Sequence, residues 1–359
     1  MKARQLRFGP MGLAWVALVV GLCLSCGAAA DPTPDAAAQP AANGAKVPAG
    51  AGAAPPVVVY WTTRLQTSDV LGSGFVPGVG PDSLLLARDG VLHVFSALGA
   101  GYRDDRSAPL PPGVAALGTT PNTGDTPAQL LVGLTGAGGV GVYAWQDGEL
   151  VNVGQTPYTW APVAQVLSAD LDGDGLADIV TIGRDGKVFA FRWSVAGYRL
   201  AWQSGPDDGT FERAQFVDAS GDGRPELLLT GTDRVELLAW RDGGAQGGGL
   251  QVIWRTFPWG GTRLTGVCAC GDGGAPIIYV TGSNDSLDAY AWSGGSLVNA
   301  AHVTSPNVVS ELIGVIAVGG RPVFLGSEQN ALIGWQLSSG TLRKAWQLEL
   351  GGPPARARA

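Results

Sequence analysis

The chain has 359 residues and a formal net charge of −7, and it contains 56 glycines and 24 prolines. The negative charge argues against DNA or RNA as a partner, because a surface that binds nucleic acid has to neutralise phosphates with lysine and arginine. The many turn-forming residues and the low share of charged residues, 15%, fit a strand-rich domain with many turns.

Residues 1–25 have the layout of a secretory signal peptide. Lys2, Arg4 and Arg7 precede an apolar stretch over residues 11–24, and small residues follow it. The apolar stretch is too short to span a membrane comfortably, since a spanning helix needs about 20 apolar residues. The sequence therefore predicts an exported protein.

The end of this segment resembles a bacterial lipobox. Residues 22–27 read Leu-Cys-Leu-Ser-Cys-Gly, and the resemblance implies cleavage after Ser25 and lipidation of Cys26. Cys23 departs from the pattern, which commonly has leucine at that position. Lipidation would give an outer-membrane lipoprotein that faces the periplasm or the cell surface. The alternative is cleavage after the alanines at 28–30, which would give a secreted soluble protein.

Residues 26–56 are almost wholly alanine, proline, glycine and aspartate. This segment has no large apolar group to bury, so we expect a disordered tether. The folded domain is predicted over residues 57–350, and residues 351–359 are predicted to be a disordered tail. Such a tether would let a lipid-anchored domain stand off from a membrane surface.

Six segments of the folded region share one plan, in which an apolar strand, a polar turn, a second strand with an aromatic end and an outer strand follow one another. The clearest copy begins at Ala177. The others begin near Pro81, Pro127, Pro225, Ala275 and Arg321, which gives a repeat of about 46 to 50 residues with room for four short strands. The prediction is an all-β propeller with six four-stranded blades. Residues 57–61 resemble a third strand and leave seven blades as the alternative.

Tryptophans recur at fixed places in these repeats. They end the third strand in five copies and lie on the outer strand in three copies: Trp145, Trp193, Trp240, Trp292 and Trp335, then Trp202, Trp254 and Trp346. Repeated aromatic residues usually mark a repeated core. We interpret these rings as packing between blades.

One acidic loop carries the main functional signal. Asp170, Asp172, Asp174 and Asp178 occupy positions 1, 3, 5 and 9 of this loop, and the carbonyl of Leu176 at position 7 can add a fifth oxygen. Ca²⁺ binds six to eight oxygens at about 2.3–2.6 Å, and this spacing can direct the oxygens to one point. The predicted cofactor is therefore Ca²⁺. The alternative is an ordinary Asp-Gly turn without an ion.

The flanks of this loop distinguish it from an EF-hand. Its twelfth position is Thr181, where an EF-hand has a glutamate, and a β-branched run follows Asp178. The loop and the following strand resemble the FG-GAP, or VCBS, repeat family, best known from the calcium-binding propeller blades of integrin alpha chains. The resemblance covers residues 70–350 approximately and implies a β-propeller. The full motif is confined to the blade at 164–206.

The next blade carries a related loop. The same five positions hold Asp218, Ser220, Asp222, the carbonyl of Arg224 and Glu226. We expect weaker calcium binding at this second site, because serine brings a neutral oxygen. The remaining blades have largely lost the ligands, so calcium is expected to stiffen individual blades.

Recognised catalytic motifs are not found in the sequence. Its two histidines, His93 and His302, lie in predicted strands and are interpreted as structural residues. No nucleophile elbow, zinc motif or phosphate loop is present. Cys268 and Cys270 fit either a strained disulfide or two free thiols. From these observations the protein is expected not to be an enzyme.

Residues 332–346 are similar to the repeat of quinoprotein-type propellers, through a turn glycine and an outer tryptophan. That family includes pyrroloquinoline-quinone dehydrogenases and a lipoprotein that helps to assemble outer-membrane barrels. The expected function is a non-catalytic, calcium-stabilised, monomeric lipoprotein of the cell envelope that binds a protein or a glycan. The alternatives are an outer-membrane assembly scaffold and a quinone-dependent oxidoreductase.

Overall fold

The computed structural model describes residues 68–98, 101–122, 127–206, 208–243, 248–256, 264–270, 276–282, 286–304, 311–318, 321–328, 331–338 and 341–349. Within these ranges the chain forms 24 strands, which pair as six four-stranded antiparallel sheets. The prediction of an all-β chain built from four-stranded repeats is confirmed. Cys26, the predicted signal peptide, tether and tail, and residues 57–61 lie outside the described residues, so these predictions and the number of blades stay predictions.

Each sheet takes four consecutive strands. Sheet 1 contains β1 (Val70–Val76), β2 (Gly80–Arg88), β3 (Val91–Leu98) and β4 (Gly101–Pro109). Sheet 2 contains β5 (Val114–Thr119), β6 (Leu130–Leu134), β7 (Val140–Gln146) and β8 (Glu149–Gln155). Sheet 3 contains β9 (Val163–Ala169), β10 (Asp178–Gly183), β11 (Val188–Arg192) and β12 (Arg199–Gln203). Sheet 4 contains β13 (Phe211–Val217), β14 (Glu226–Gly231), β15 (Val235–Arg241) and β16 (Gly249–Thr256). Sheet 5 contains β17 (Leu264–Cys270), β18 (Ile277–Gly282), β19 (Ser286–Ser293) and β20 (Ser296–Thr304). Sheet 6 contains β21 (Glu311–Val318), β22 (Arg321–Glu328), β23 (Ala331–Ser338) and β24 (Thr341–Glu349).

The second strands of sheets 3 and 4 are covered on both faces. In β10, Ile179 packs into a core shared with sheet 2, whereas Val180 and Ile182 pack into a core shared with sheet 4. In β14, Leu228 points towards sheet 5, and the residues on either side of it point towards sheet 3. A strand that is buried on both faces needs a continuous apolar sequence rather than an alternating one, and all six residues of β10 are buried.

The repeated tryptophans lie mainly in these cores. Trp240 and Trp335 are each 8% exposed, and Trp202 packs against the core between sheets 3 and 4. Trp193 is an exception at 40% exposed, because it lies just after β11 and meets Tyr198 edge-on, with 5.0 Å between ring centroids. The interpretation of these rings as packing between sheets agrees with the structure.

The first strands of successive sheets lie side by side, as seen for β1 and β5, β5 and β9, β9 and β13, and β17 and β21. Their backbones approach closely at two glycines. A Cβ atom built on Gly72 would lie 2.6 Å from the carbonyl oxygen of Leu117, and one built on Gly118 would lie 3.0 Å from the carbonyl oxygen of Val166. Side chains at these positions would push neighbouring sheets apart, so glycine allows the close contact.

A side-chain amide joins sheets 3 and 4. The Nε2 atom of Gln165, in β9, donates to the carbonyl of Ala214 at 2.8 Å, and Oε1 of Gln165 accepts from the backbone nitrogen of Ala214, also at 2.8 Å. One side chain thus satisfies both backbone groups of a residue on the neighbouring first strand, as a paired strand would.

Among the described residues, no helix has the length and apolar character needed to cross a membrane.

We predict that Gln165→Leu lowers the free energy of unfolding by about 2 kcal/mol, because it leaves the N–H and C=O of Ala214 without partners in a partly buried site. Urea titration with an unchanged m-value would check this. The control is Gln203→Leu on the outer strand β12, where the glutamine is exposed and the expected change is within about 0.5 kcal/mol. Equal effects of the two substitutions would contradict a specific role for the hydrogen bonds between Gln165 and Ala214.

Candidate metal centre

The first acidic loop connects β9 to β10 and wraps around the carboxylate of Asp170. Oδ1 of Asp170 accepts from the backbone nitrogen of Gly173 at 2.8 Å, and Oδ2 accepts from that of Gly175 at 2.9 Å. Gly173 and Gly175 have φ angles of 77° and 83°, a left-handed conformation that glycine adopts without steric cost. The alternating Asp-Gly sequence therefore dictates the tight loop.

The loop brings three of the predicted ligands together. One carboxylate oxygen from each of Asp170, Asp172 and Asp174 lies within 4.8 Å of the other two. Two oxygens that bind one Ca²⁺ at about 2.3–2.6 Å can be at most about 5 Å apart. This spacing, and an all-oxygen donor set, fit a hard divalent cation.

The fourth predicted ligand, Asp178, is the first residue of β10 and is 1% exposed. Its Oδ2 accepts from the backbone nitrogen of Leu171 at 3.2 Å. Burial, together with the negative charges of Asp174 and Asp170, raises the pKa of Asp178 to about 7, although the hydrogen bond from Leu171 opposes the rise. The ionised form of this carboxylate is therefore costly unless a cation compensates it.

A cation that the sequence analysis missed, Arg192, lies against this loop. Its guanidinium contacts the carboxylate of Asp172, donates to Oδ2 of Asp174 at 2.9 Å, and places Nε 4.0 Å from Oδ1 of Asp178. The feature of the sequence that could have identified Arg192 is the pairing register of the predicted hairpin. Because β10 and β11 pair antiparallel, the last residue of β11 comes to lie beside the first residue of β10.

Tyr198 closes the outer side of the same loop. Its hydroxyl donates to the carbonyl of Ala177 at 3.3 Å, and its ring packs edge-on against Trp193. Burial raises the pKa of Tyr198 to about 12, and the charge of Asp178 contributes in the same direction. The phenol therefore acts as a neutral hydrogen-bond donor that holds the loop backbone.

The second acidic loop, between β13 and β14, repeats the hydrogen bonds of the first. Oδ2 of Asp218 accepts from Gly223 at 2.9 Å, Oδ1 of Asp222 accepts from Arg224 at 2.9 Å, and Oε2 of Glu226 accepts from Ala219 at 2.7 Å. The corresponding bonds in the first loop run from Gly175, Leu176 and Leu171 to Asp170, Asp174 and Asp178. Gly221 and Gly223 have φ angles of 74° and 84°. The two loops thus share one backbone geometry.

The second loop contains buried carboxylate oxygens that are incompletely compensated by hydrogen bonds or cations. Oδ1 of Asp218 is buried and has no hydrogen-bond partner among the described residues. Glu226 is 5% exposed, and burial raises its pKa, although the hydrogen bond from Ala219 opposes this. No salt bridge to Asp218, Asp222 or Glu226 is formed within the described part of the chain. A cation at this loop would satisfy a buried anionic oxygen that the protein leaves unpaired.

The remaining predicted residues are placed as follows. Leu176 and Arg224 occupy the seventh position of each loop, and their backbone nitrogens donate to the aspartate at position 5. The loops are neighbours, because a Cβ built on Gly173 would lie 3.8 Å from the guanidinium carbon of Arg224. Each histidine contacts an aspartate of its own sheet, with Nδ1 of His93 3.0 Å from Oδ2 of Asp104 and Nδ1 of His302 2.7 Å from Oδ1 of Asp288.

The fold is similar to known propeller structures. The periplasmic gluconolactonase PpgL of Pseudomonas aeruginosa superposes with a TM-score of 0.57 and 18% identity, over 82% of this chain and 89% of that chain. Saccharomyces cerevisiae Sqt1 superposes with a TM-score of 0.56 and 10% identity, over 79% of this chain and 75% of that chain. At these identities the likeness concerns the fold alone. Together with the six successive four-stranded sheets, it defines this protein as a β-propeller.

Residues 170–229, which include both acidic loops, match the family model of the FG-GAP-like repeat. This segment of the propeller therefore carries an FG-GAP-like repeat, as the resemblance of its acidic loop implied. No curated protein sequence matches the chain. The sheets are accordingly called blades 1 to 6 in chain order.

The expectation that the protein is not an enzyme is corrected by the comparison with PpgL. That structure is named as a gluconolactonase, so a propeller of this layout can be an enzyme. The expectation depended on the lack of recognised motifs, and propellers place functional side chains on loops that have no common sequence pattern. A lack of motifs is therefore no ground for a non-catalytic assignment.

We predict a pH dependence of stability from Asp178 in chelator-treated protein. Its pKa is about 7 in the folded state against an ordinary value of 3.8, so the folded state retains a proton that the unfolded chain releases. The stabilisation is complete below about pH 4 and is lost as the pH rises to 7. Unfolding free energies between pH 4 and 8 should fall less steeply for Asp178→Asn. The exposed Asp147→Asn is the control, and an equal flattening in both variants would contradict the assignment.

Proposed function

We propose that this protein is an exported FG-GAP propeller whose two acidic loops each bind Ca²⁺ and so fix blades 3 and 4. The observation that carries this proposal is the first loop, where one carboxylate oxygen from each of Asp170, Asp172 and Asp174 lies within 4.8 Å of the other two. The second loop repeats backbone hydrogen bonds of the first. In the first loop, a bound Ca²⁺ would add positive charge beyond that of Arg192, which faces several aspartates alone.

The residues of each loop would have distinct tasks in holding the ion. Positions 1, 3 and 5 offer side-chain oxygens from Asp170, Asp172 and Asp174 in the first loop and from Asp218, Ser220 and Asp222 in the second. The carbonyls of Leu176 and Arg224 can add one more oxygen each. Asp178 and Glu226 begin the second strand of their blades, so an ion held by them is tied to a strand that lies between two hydrophobic cores. Binding would therefore stabilise the blade interfaces by mass action.

We predict that Ca²⁺ binds the chelator-stripped protein at two sites and raises its melting temperature. The Asp172→Ala, Asp174→Ala and the Asp218→Ala, Asp222→Ala double variants should each lose one site in isothermal titration calorimetry. The matched control is Asp147→Asn with Glu149→Gln, which removes two exposed charges at a turn of blade 2 and should keep both sites. Absence of binding heat and of any thermal shift would overturn the proposal.

The place of action proposed for this chain is the cell envelope. The signal-like residues 1–25, the lipobox-like Cys26 and the tether at 26–56 together support an outer-membrane lipoprotein that faces the periplasm or the cell surface. Cleavage at the later alanines would instead release the same propeller as a secreted protein. In both cases the domain would meet extracellular or periplasmic calcium.

An exposed aromatic pair offers a contact surface for a partner. Tyr158 and Trp160 are 56% and 83% exposed, and their ring centroids lie 6.5 Å apart at an interplanar angle of 55°. They lie in the connection before β9, whereas the first acidic loop follows β9, so the pair and the loop lie at opposite ends of that strand. The acidic loops are therefore free to stabilise the fold without blocking this surface.

The backbone under this pair is firmly held. The nitrogen of Trp160 donates to the carbonyl of Ala137 at 2.6 Å, and Thr156 bonds to Val140 through both its backbone and its hydroxyl. Trp160 has a φ angle of 64°, which is unfavourable for a bulky residue and is retained mainly where function or packing requires it. Packing does not require it here, because the ring is exposed.

The partner that best fits this surface is a glycan, with a protein as the alternative. Two aromatic rings expose about 300 Å² at most, whereas one side of a standard protein interface covers about 800 Å². Such an area matches the apolar C–H face of one or two sugar rings. Both classes of partner agree with the acidic charge of the chain.

We predict that Trp160→Ala abolishes binding to envelope polysaccharide and leaves the melting temperature within about 2 °C, because the ring contributes little to the core. The measurement is a glycan array with the full chain, followed by calorimetry on any polysaccharide bound. The control is Val195→Ala, which changes a fully exposed apolar residue at the other end of blade 3. Binding that persists in Trp160→Ala would exclude this surface, and capture of a protein instead of a glycan would favour the alternative.

A further inference from the structure

The two acidic loops differ in the side chain that the third strand places beside them, although their backbone hydrogen bonds correspond. Arg192 lies against the first loop and contacts Asp172 and Asp174. The pairings of Ile179 with Phe191 in blade 3 and of Leu227 with Leu238 in blade 4 put Ala239 in the position that corresponds to Arg192. The second loop therefore has corresponding backbone hydrogen bonds without this guanidinium.

Arg192 contacts the oxygens that a metal ion would need. A guanidinium has donors in a fixed planar fork, and here it engages two carboxylates of one loop. A divalent cation and a guanidinium about 4 Å apart repel each other strongly in a partly buried site. The carboxylates of Asp172 and Asp174 can thus serve one of the two cations fully, but not both.

Arg192 has a second contact, with Trp240, which it can keep when a metal ion binds the carboxylates of Asp172 and Asp174. Its guanidinium carbon lies 5.4 Å from the ring centroid of Trp240, within the range of a cation–π contact. Trp240 belongs to blade 4 and packs in the core between blades 3 and 4. Arg192 therefore connects the first loop to the neighbouring blade.

We propose, building on the function proposed above, that Arg192 is an internal cation that competes with Ca²⁺ at the first loop. The first loop consequently binds Ca²⁺ more weakly than its four aspartates would otherwise allow, and the second loop is the tighter site. This reverses the order that ligand charge alone predicts. Calcium binding at the first loop shifts Arg192 from Asp172 and Asp174 towards Trp240. Occupancy of this loop therefore changes a contact at the interface with blade 4.

The test measures Ca²⁺ affinity at each loop separately in the full chain. Asp218→Ala with Asp222→Ala leaves the first loop, and Asp172→Ala with Asp174→Ala leaves the second. Adding Arg192→Gln to the first background should tighten Ca²⁺ binding at least tenfold. Arg199→Gln is the matched control, since it removes an exposed arginine from the adjacent strand of the same blade, and it should change the affinity by less than threefold. Arg192→Lys, which keeps the charge, should leave the affinity close to that of the native residue.

The reciprocal variant is Ala239→Arg in the background that leaves the second loop, where Ca²⁺ affinity should fall at least tenfold. Equal effects of Arg192→Gln and Arg199→Gln, with Ca²⁺ still bound, would overturn the competition and leave the proposed function intact. Absence of binding at both isolated loops would overturn the proposed function itself. Should a substituted chain fail to fold, the comparison of the two loops in chains with native Arg192 and Ala239 decides: a tighter first loop overturns the proposal.

Discussion

The central strands of this propeller are apolar on both faces, and only a neighbouring blade on each side can cover them. In β14, Leu228 belongs to the core with blade 5, whereas Leu227 and Leu229 belong to the core with blade 3. A single four-stranded sheet of this sequence would expose a large apolar area and would not be stable alone. The repeat along the chain is therefore a consequence of burial, because each blade supplies the missing cover for the next.

The same constraint explains why the acidic loops contain carboxylates that need a proton, hydrogen bonds or a cation. Asp178 and Glu226 begin the most deeply buried strands of their blades, so their carboxylates are drawn into a low-dielectric environment together with the strand. Burial raises the pKa of both groups. Carboxylates in such a place are stable only when protonated, hydrogen-bonded or paired with a cation. The chemistry of the loops thus follows from their attachment to the centre of a propeller blade.

The sequence was sufficient for those features that depend on local patterns. The spacing of the repeats predicted the four-stranded sheets, and the alternation of aspartate and glycine from Asp170 to Gly175 predicted a loop that the φ angles of Gly173 and Gly175 reproduce. Arg192 was missed because its relation to the loop depends on strand register, which brings together residues 18 positions apart, as in its bond to Asp174. The exposure of Trp160 was missed because it depends on a hydrogen bond to Ala137 in another loop. The non-catalytic expectation failed for a different reason, since a lack of motifs carries little information on this fold.

The comparison of blades 3 and 4 shows how the side chains of a repeat can diverge while its fold is kept. The hydrogen bonds that shape the two loops come from backbone groups of the loops themselves, so they persist whatever residue occupies the third-strand position beside the loop. That third-strand position is Arg192 in one blade and Ala239 in the next, and it is half-buried in both. A side chain there can approach the carboxylates without changing the backbone hydrogen bonds that shape the loop. Electrostatics at an acidic loop can therefore change by a single substitution, whereas the Asp-Gly pattern that forms the loop has to be retained for the strand beneath it to begin at the right residue.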